Sequence, residues 1–229
     1  MHGRKQGFEP NAEIATNTCC EGQGTRMYGS LPEYIYSLTP NGGQVNLFEA
    51  STLTHQVNGH PLRLHMQTAF PYNNEVSIEV SCDAPLDACL EIRVPGWATQ
   101  ALAVKMNGER VATGKPGTYI KLQRVWKAGD KIEFTLPASF RTTQYVGMES
   151  GFESGHYALE YGPVLMAAVC TKDNTEPFVP CLAKEITSKL RPVSGKPLHF
   201  TVAGCDDIEF MPYYEVEGQA FSNFPAYLF

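Results

Sequence analysis

The spacing of apolar residues changes once along the chain, near Pro40. Before Pro40, apolar residues recur at steps of three and four, as on one face of a helix: Met27, Leu31, Tyr34, Ile35 and Leu38. Ser30 and Glu33 have the spacing of a capping box, with Pro32 in the first turn. The pattern therefore predicts a short helical segment, and it fits one kinked helix as well as two short ones.

After Pro40, apolar and polar residues alternate, which is typical of strands with one buried side. The alternating sets are Leu62, Leu64 and Met66; Val76, Ile78 and Val80; Leu90, Ile92 and Val94; and Ile132, Phe134 and Leu136. Turn signals separate these sets, and Asn107-Gly108 is the best hairpin candidate because both positions tolerate a positive φ. The sequence therefore predicts a mainly β protein, an antiparallel β-sandwich preceded by a short helical segment. Trp97 and Trp126 could stack on a sugar, but closing a sandwich core is the commoner role, so we expect both to be largely buried.

The composition limits the classes of protein to which the chain can belong. Its 229 residues, 43% of them hydrophobic, are enough to bury a core. The net charge of -6 comes without a basic stripe, so neither nucleic acid nor a membrane surface is an expected partner. The sequence has no apolar run long enough to span a membrane and no apolar signal region near Met1, which predicts a cytoplasmic protein.

Few residues are candidates for chemistry. The motifs of phosphate-binding loops, serine hydrolases and zinc proteases are absent from the sequence, and the six histidines are scattered, so we interpret them as surface or hydrogen-bonded residues. Seven cysteines, an odd number, argue against a fully paired disulfide framework. What remains is the pair of adjacent cysteines, Cys19 and Cys20, in the stretch "NTCCEGQGTR".

Three interpretations of Cys19 and Cys20 are open on residue chemistry alone. A vicinal disulfide requires a strained ring and is rare. Two buried thiols could simply pack, since free cysteine is among the most buried residue types. Adjacent thiolates can also bind a soft cation such as Zn²⁺ or act as nucleophiles, but zinc needs four ligands and only two sulfurs are local.

Motifs in a fixed order resemble one family of enzymes. The stretches "CCEGQGTR", "LPEYIYS", "FPYNNEVSIEV", "EIRVPGWA", "PGTYIKLQRVWKAGDKIEFTLP" and "LEYGPVLMA" resemble the second half of the β-L-arabinofuranosidase glycoside hydrolases, family 127, once catalogued as a domain of unknown function. The resemblance covers nearly the whole chain.

The resemblance implies a fold and a site. In that family an (α/α)6 barrel carries the active site, β-sandwich domains follow the barrel, and one glutamate and three cysteines bind zinc. It therefore implies that Cys19 is the nucleophilic, zinc-bound thiolate and that Cys20 is a second zinc ligand. A thiolate that attacks an arabinofuranosyl carbon would give a thioglycosyl intermediate, and zinc would keep the sulfur deprotonated.

On this interpretation the chain has three parts. Residues 1–40 are a remnant of the catalytic barrel that carries the double cysteine, residues 41–170 form the β-sandwich, and residues 171–229 form an irregular and β segment that packs on the sandwich or the barrel. The family's acid/base glutamate, zinc-binding glutamate and third zinc cysteine lie upstream of the double cysteine, where this sequence has only 18 residues. We therefore expect the chain alone to be inactive.

Two hypotheses of function follow. The first is the C-terminal portion of a retaining glycoside hydrolase that acts on β-L-arabinofuranosides, with an L-arabinofuranose-containing glycan as substrate and the missing N-terminal barrel portion as partner. The second is a non-catalytic β-sandwich module, carbohydrate-binding or structural, in which the cysteines only pack. Stoichiometric zinc binding on addition of the missing barrel portion would favour the first hypothesis, because a non-catalytic module should be indifferent to that portion. The sequence leaves open whether the chain forms a homodimer.

Overall fold

The computed structural model describes residues 2–4, 19–144, 157–172, 183–216 and 220–222. The described helices are α1 (Cys19–Ser30), α2 (Ala183–Lys189) and the 3-10 helices η1 (Leu31–Tyr34) and η2 (Tyr213–Glu215). The strands before Ala138 are β1 (His2–Arg4), β2 (Tyr36–Thr39), β3 (Gly42–Val45), β4 (Ser51–Val57), β5 (His60–Thr68), β6 (Glu75–Cys82), β7 (Leu86–Arg93), β8 (Leu102–Met106), β9 (Glu109–Gly114), β10 (Tyr119–Trp126) and β11 (Lys131–Thr135). The later strands are β12 (Phe140–Gln144), β13 (Tyr157–Tyr161), β14 (Val164–Cys170), β15 (Leu190–Pro192), β16 (Phe200–Val202), β17 (Cys205–Pro212) and β18 (Ala220–Ser222).

The chain divides into two compact units, Ala12–Pro137 and Ala138–Phe229 with Met1–Asn11. The first unit contains a four-stranded sheet, in the order β10-β7-β3-β2, and a six-stranded sheet, in the order β4-β5-β6-β11-β8-β9. Strands pair antiparallel in both sheets, except that β3 and β7 are parallel. The predicted mainly β fold with an antiparallel sandwich is therefore confirmed, with one parallel pair.

One hydrophobic core lies between the two sheets of the first unit. The alternating apolar residues supply it: Leu62, Leu64, Met66, Val76, Ile78, Val80, Leu90, Ile92, Ile132 and Phe134 are all buried. Trp126 is fully buried, and its Nε1 donates a hydrogen bond to the Ala88 carbonyl at 2.9 Å. Trp97 is only partly buried and stacks on Phe70 with ring centroids 5.8 Å apart. The prediction of a buried tryptophan is therefore confirmed for Trp126 and holds in part for Trp97.

The helical segment ends earlier than the apolar spacing suggests. Helix α1 continues into η1 and the chain then enters β2, so Leu38 lies in a strand and not in a helix. The predicted capping box is wrong. Ser30 has helical backbone angles and its Oγ donates to the Met27 carbonyl at 3.0 Å, because the chain is already helical on both sides of it.

Two hairpins of the six-stranded sheet use the same turn chemistry. The predicted hairpin at Asn107 and Gly108 is confirmed, since it joins β8 to β9 with φ values of 50° and 87°. Asn58 and Gly59 join β4 to β5 with φ values of 53° and 80°. The second turn has the same Asn-Gly signal, which the sequence analysis overlooked.

The second unit is built on an eight-stranded sheet in which β14 pairs with β13, β17 and β18. Both faces of β14 are buried, because Met166 and Ala168 belong to one apolar cluster and Ala167 and Val169 to another. The strands between residues 140 and 170 thus pair with strands of the C-terminal segment. The limits drawn at residues 40 and 170 stay predictions.

Candidate functional site

The two predicted site residues open the helical segment of the first unit. Cys19 and Cys20 are the first two residues of α1. Their side chains lie outside the described residues, and the roles of Cys19 as nucleophile and of both residues as zinc ligands stay predictions. The N-terminus of a helix carries a partial positive charge, which lowers the pKa of a nearby thiol.

The remaining zinc donors are not found in the described part of the chain. Among the described side chains, no group of three or more histidine, cysteine, aspartate or glutamate residues could hold a metal ion. Burial raises the pKa of the thiols of Cys82, Cys89 and Cys205 above the ordinary value of a free thiol. The donor type of Cys19 and Cys20 suits zinc, but two sulfurs supply half of a tetrahedral site.

A groove of about 820 Å³ lies on the outer face of the six-stranded sheet. Four of its residues face one another across adjacent strands: Gln67 is opposite Ser77, Ser77 opposite Glu133, and Glu133 opposite Lys105. Each alternates along its strand with buried core residues, so this row points away from the core. We call these four residues the polar row. It was missed by the sequence analysis because only the register of β5, β6, β11 and β8 brings its members together.

The charges in the groove are balanced. Lys105 and Lys131 contribute two positive charges, and Glu75 and Glu133 contribute two negative ones. Lys131 Nζ lies 2.8 Å from Glu133 Oε1, and both side chains are substantially exposed. The groove therefore has no net charge with which to select an anion or a cation.

A smaller cavity of about 240 Å³ lies beside the turn between β2 and β3. Its lining residues are Thr39, Pro40, Asn41, Gly43, Cys89 and Glu91. Gln44 Nε2 donates to Glu91 Oε2 at 2.5 Å, and this hydrogen bond lowers the pKa of Glu91 against the opposing effect of burial. Burial and the Glu91 charge raise the pKa of Cys89. The cavity therefore holds a protonated thiol and an engaged carboxylate, and offers no reactive nucleophile.

The second unit contains a buried ionic cluster around His199. The Nδ1 of His199 lies 2.5 Å from Glu209 Oε1, and its Nε2 lies 2.9 Å from Glu215 Oε2. Lys196 Nζ is 3.3 Å from the same Glu209 oxygen. His199 and Glu209 are only 9% and 7% exposed, so each side chain requires a polar partner in the protein, and each serves as a partner of the other. The prediction of a hydrogen-bonded histidine holds for His199, while its partners follow from the fold and carry no sequence signal.

Large apolar side chains are exposed around α1. They are Met27 (54%), Tyr28 (70%), Leu31 (43%), Tyr34 (59%) and Leu38 (57%), and we call them the N-terminal apolar surface. Single exposed apolar residues are normal, but a run of them along one short segment is typical of an interaction surface.

The first unit of the chain matches a known protein family. Residues 43–138 match the family model for the middle domain of GH127 β-L-arabinofuranosidases. The resemblance to this family is confirmed. No curated protein matches the chain.

Solved structures extend the fold similarity to most of the chain. A GH127 β-L-arabinofuranosidase from Geobacillus stearothermophilus T6 is 20% identical, with a TM-score of 0.67 over 89% of this chain and 36% of that one. A glycoside hydrolase is 20% identical, with a TM-score of 0.70 over 92% of this chain and 40% of that one. A GH127 β-arabinofuranosidase is 20% identical, with a TM-score of 0.65 over 90% of this chain and 38% of that one. At this identity the likeness shows the fold, and the chain spans well under half the length of these proteins.

No helix among the described residues is long and apolar enough to cross a membrane. The predicted cytoplasmic location stays a prediction.

Proposed function

We propose that the chain is the C-terminal portion of a retaining glycoside hydrolase that acts on β-L-arabinofuranosides. The observation that carries this proposal is the match of residues 43–138 to the GH127 middle domain. The shared fold with three glycoside hydrolases over about nine tenths of the chain supports it. Because the chain spans 36–40% of those proteins, the activity belongs to a longer protein or an assembly.

In this proposal Cys19 is the nucleophile. Its thiolate attacks the anomeric carbon, the carbon–sulfur bond forms as the bond to the leaving-group oxygen breaks, and an acid/base residue of the barrel protonates that oxygen. Water then displaces the sulfur and gives its proton to the same barrel residue. Cys20 is the second thiol of the zinc site. Zinc, when bound, would hold both sulfurs as thiolates at neutral pH.

The partner in this proposal is the helical barrel that carries the acid/base residue. The N-terminal apolar surface supports such a partner, because Met27, Tyr28 and Tyr34 are more than half exposed and lie on the segment that begins with the double cysteine. A barrel packed on this segment would cover these side chains and place its acid/base beside Cys19. The chain alone would then carry the nucleophile but lack the acid/base residue needed for turnover.

The test uses the full-length protein, or this chain combined with the barrel, and an aryl β-L-arabinofuranoside. We expect Cys19→Ser to abolish turnover, because an alcohol has a far higher pKa than a thiol and is a poorer zinc ligand. We expect Cys20→Ser to lose zinc, measured by elemental analysis. Cys170→Ser is the matched control, since Cys170 is a free cysteine of the other unit.

Two results would contradict the proposal. One is a covalent adduct of an anomeric inhibitor that mass spectrometry maps to a carboxylate and not to Cys19. The other is full activity of Cys19→Ser.

In the chain alone we expect zinc to bind weakly, because two thiols leave half of the coordination sphere to water. Tight zinc at one equivalent, lost in Cys20→Ser, would show that this chain completes the site by itself.

A further inference from the structure

We propose that the groove on the outer face of the six-stranded sheet binds a neutral oligosaccharide. The groove is part of the first unit, and each of its lining residues lies between Gln67 and Pro137. Its volume of about 820 Å³ is within the range of ligand-binding clefts, roughly 300–1,000 Å³.

The shape follows from small residues placed among long ones. Ala69, Ala101 and Ala103 line the groove at one end of the sheet, beside the long side chains of Lys105 and Lys131. Because side chains stand roughly perpendicular to a sheet, short ones next to long ones leave a depression between strands. The depression is therefore formed by outward positions of β8 and β11, such as Ala103 and Glu133, together with loop residues such as Ala69 and Ala101 beside the strands.

The hydrogen-bonding groups of the groove are available to a ligand. In the part of the chain that the structure describes, the side chains of Ser77, Gln100, Lys105 and Thr135 make no hydrogen bond or ion pair within the protein. Among the described residues, the Gln67 side chain forms one hydrogen bond, between its Nε2 and His65 Nε2 at 3.2 Å on the same strand. The groove thus presents amide and hydroxyl groups that both donate and accept hydrogen bonds, and an ammonium group that donates them. Sugar hydroxyls also do both, so they match such a lining.

The charge and polarity of the groove disfavour other ligands. Its two lysines and two glutamates cancel, so a nucleic acid or other polyanion would gain little from it. None of its lining residues is among the large hydrophobic residues that the described structure exposes, so an apolar peptide or a lipid chain would find no anchor. A neutral, hydroxyl-rich chain is the ligand class that fits.

This inference deepens the proposed function, on which it rests for the choice of sugar, because a glycan held in the groove would keep a polymeric substrate on the enzyme. The two proposals fail separately. Binding in the groove requires only this chain, whereas turnover also requires Cys19 and the barrel.

The test is a titration of the purified 229-residue chain with arabino-oligosaccharides, followed by calorimetry and by amide chemical shifts. Xylo-oligosaccharides and maltodextrins are the neutral comparisons, and polygalacturonate is the anionic one. We expect binding of a neutral oligosaccharide with shifts confined to β5, β6, β8 and β11. We expect Gln67→Ala and Lys105→Ala each to raise Kd about fivefold, as for one lost hydrogen bond.

Gln56→Ala is the matched control, because Gln56 is exposed on the edge strand β4 and does not line the groove. It should leave Kd unchanged. Ala103→Leu should weaken binding by narrowing the groove, while the circular dichroism of each variant reports that the fold is intact. The proposal is overturned if no neutral oligosaccharide binds, if only polygalacturonate binds, or if Gln67→Ala and Gln56→Ala have the same effect.

Discussion

Replacing Gly42 with alanine should destabilise the first unit far more than the same change at Gly59 or Gly96. Gly42 lies opposite Cys89 in the parallel pair of β3 and β7, with a φ of 151°. A Cβ added at Gly42 would lie 2.0 Å from the Cys89 carbonyl oxygen and 2.8 Å from its carbonyl carbon. The obstacle is backbone, which cannot move aside as a flexible side chain would.

The magnitude follows from two costs. A residue with a Cβ at this φ costs about 1–3 kcal/mol of conformational strain. Relief of the contact must also push β3 away from β7 and weaken neighbouring bonds, such as that from Cys89 N to Asn41 O at 2.8 Å. Each backbone hydrogen bond is worth about 1 kcal/mol. Together these costs predict a loss of about 3–5 kcal/mol in the free energy of unfolding of Gly42→Ala.

Alanine substitutions at two other glycines distinguish the cost of backbone strain from the cost of the close contact. Gly59 has a φ of 80° with nothing within 4 Å of an added Cβ, so Gly59→Ala should cost about 1–2 kcal/mol from strain alone. Gly96 has neither a positive φ nor a neighbour within 4 Å, so Gly96→Ala should be neutral or stabilise by up to about 1 kcal/mol.

Urea unfolding followed by tryptophan fluorescence measures this series. The chain has two tryptophans, Trp97 and Trp126, and both lie in Ala12–Pro137, so the signal reports the first unit. With a urea dependence of about 2 kcal/mol per molar, the midpoint of Gly42→Ala should fall by about 2 M. If Gly42→Ala and Gly59→Ala have the same midpoint, the close approach of β3 to β7 is not what requires glycine.

Two further predictions concern buried charges. Burial alone would raise the pKa of Asp130, but hydrogen bonds from Asn107 and the Lys127 amide and the charges of Arg124 and Lys127 lower it overall from its ordinary 3.8. A lowered pKa in the folded state contributes stability that is present above the ordinary pKa and is lost as the pH falls through the folded-state pKa. Asp130→Asn should therefore be less stable than the parent at pH 7, and this difference in the free energy of unfolding should shrink as the pH falls below 3.8. A difference that does not change with pH would contradict this. His199→Leu leaves Glu209 buried with one partner and should weaken the second unit by about 3–5 kcal/mol, measured by hydrogen exchange in β17. A further Glu209→Leu change should restore much of that protection, and no recovery would contradict the assignment.

The sandwich strands could be predicted because they alternate. A strand with one face on the core repeats with period two, and sets such as Leu62, Leu64 and Met66 carry that signal in the sequence. The helical spacing wrongly predicted a helix at Leu38. This residue lies on the edge strand β2, where it is 57% exposed. Its apolar character reflects an exposed surface and not the inner face of a helix.

The parallel pair could not be predicted from the sequence. The stretch "TPNGG" has the composition of a turn, but Gly42 and Gly43 lie inside β3. Glycine is required there by the distance to Cys89, a residue more than forty positions away in the chain. The polar row and the His199 cluster escaped prediction for the same reason, because register and not local pattern brings their members together.

The candidate nucleophile could be named from the sequence only through resemblance, because spacing treats Cys19 and Cys20 alike. The fold adds a physical condition on it. Helix α1 has twelve residues, and a helix of that length is marginally stable in water without packing. Its Met27 and Tyr28 are 54% and 70% exposed, so these two side chains bury little apolar surface that could stabilise α1.

The segment after α1 is fixed more firmly. The Ile35 carbonyl accepts hydrogen bonds from the amides of Asn46 at 2.8 Å and Leu47 at 3.3 Å, which ties the end of η1 to the chain beyond β3. The sandwich therefore anchors the C-terminal end of the helical segment, while the double cysteine lies at the opposite end. A barrel packed on the N-terminal apolar surface would bury the exposed side chains and stabilise α1, and on the proposed function it would also carry the acid/base residue. On the proposed function, docking of the barrel and positioning of the Cys19 thiolate are therefore one event.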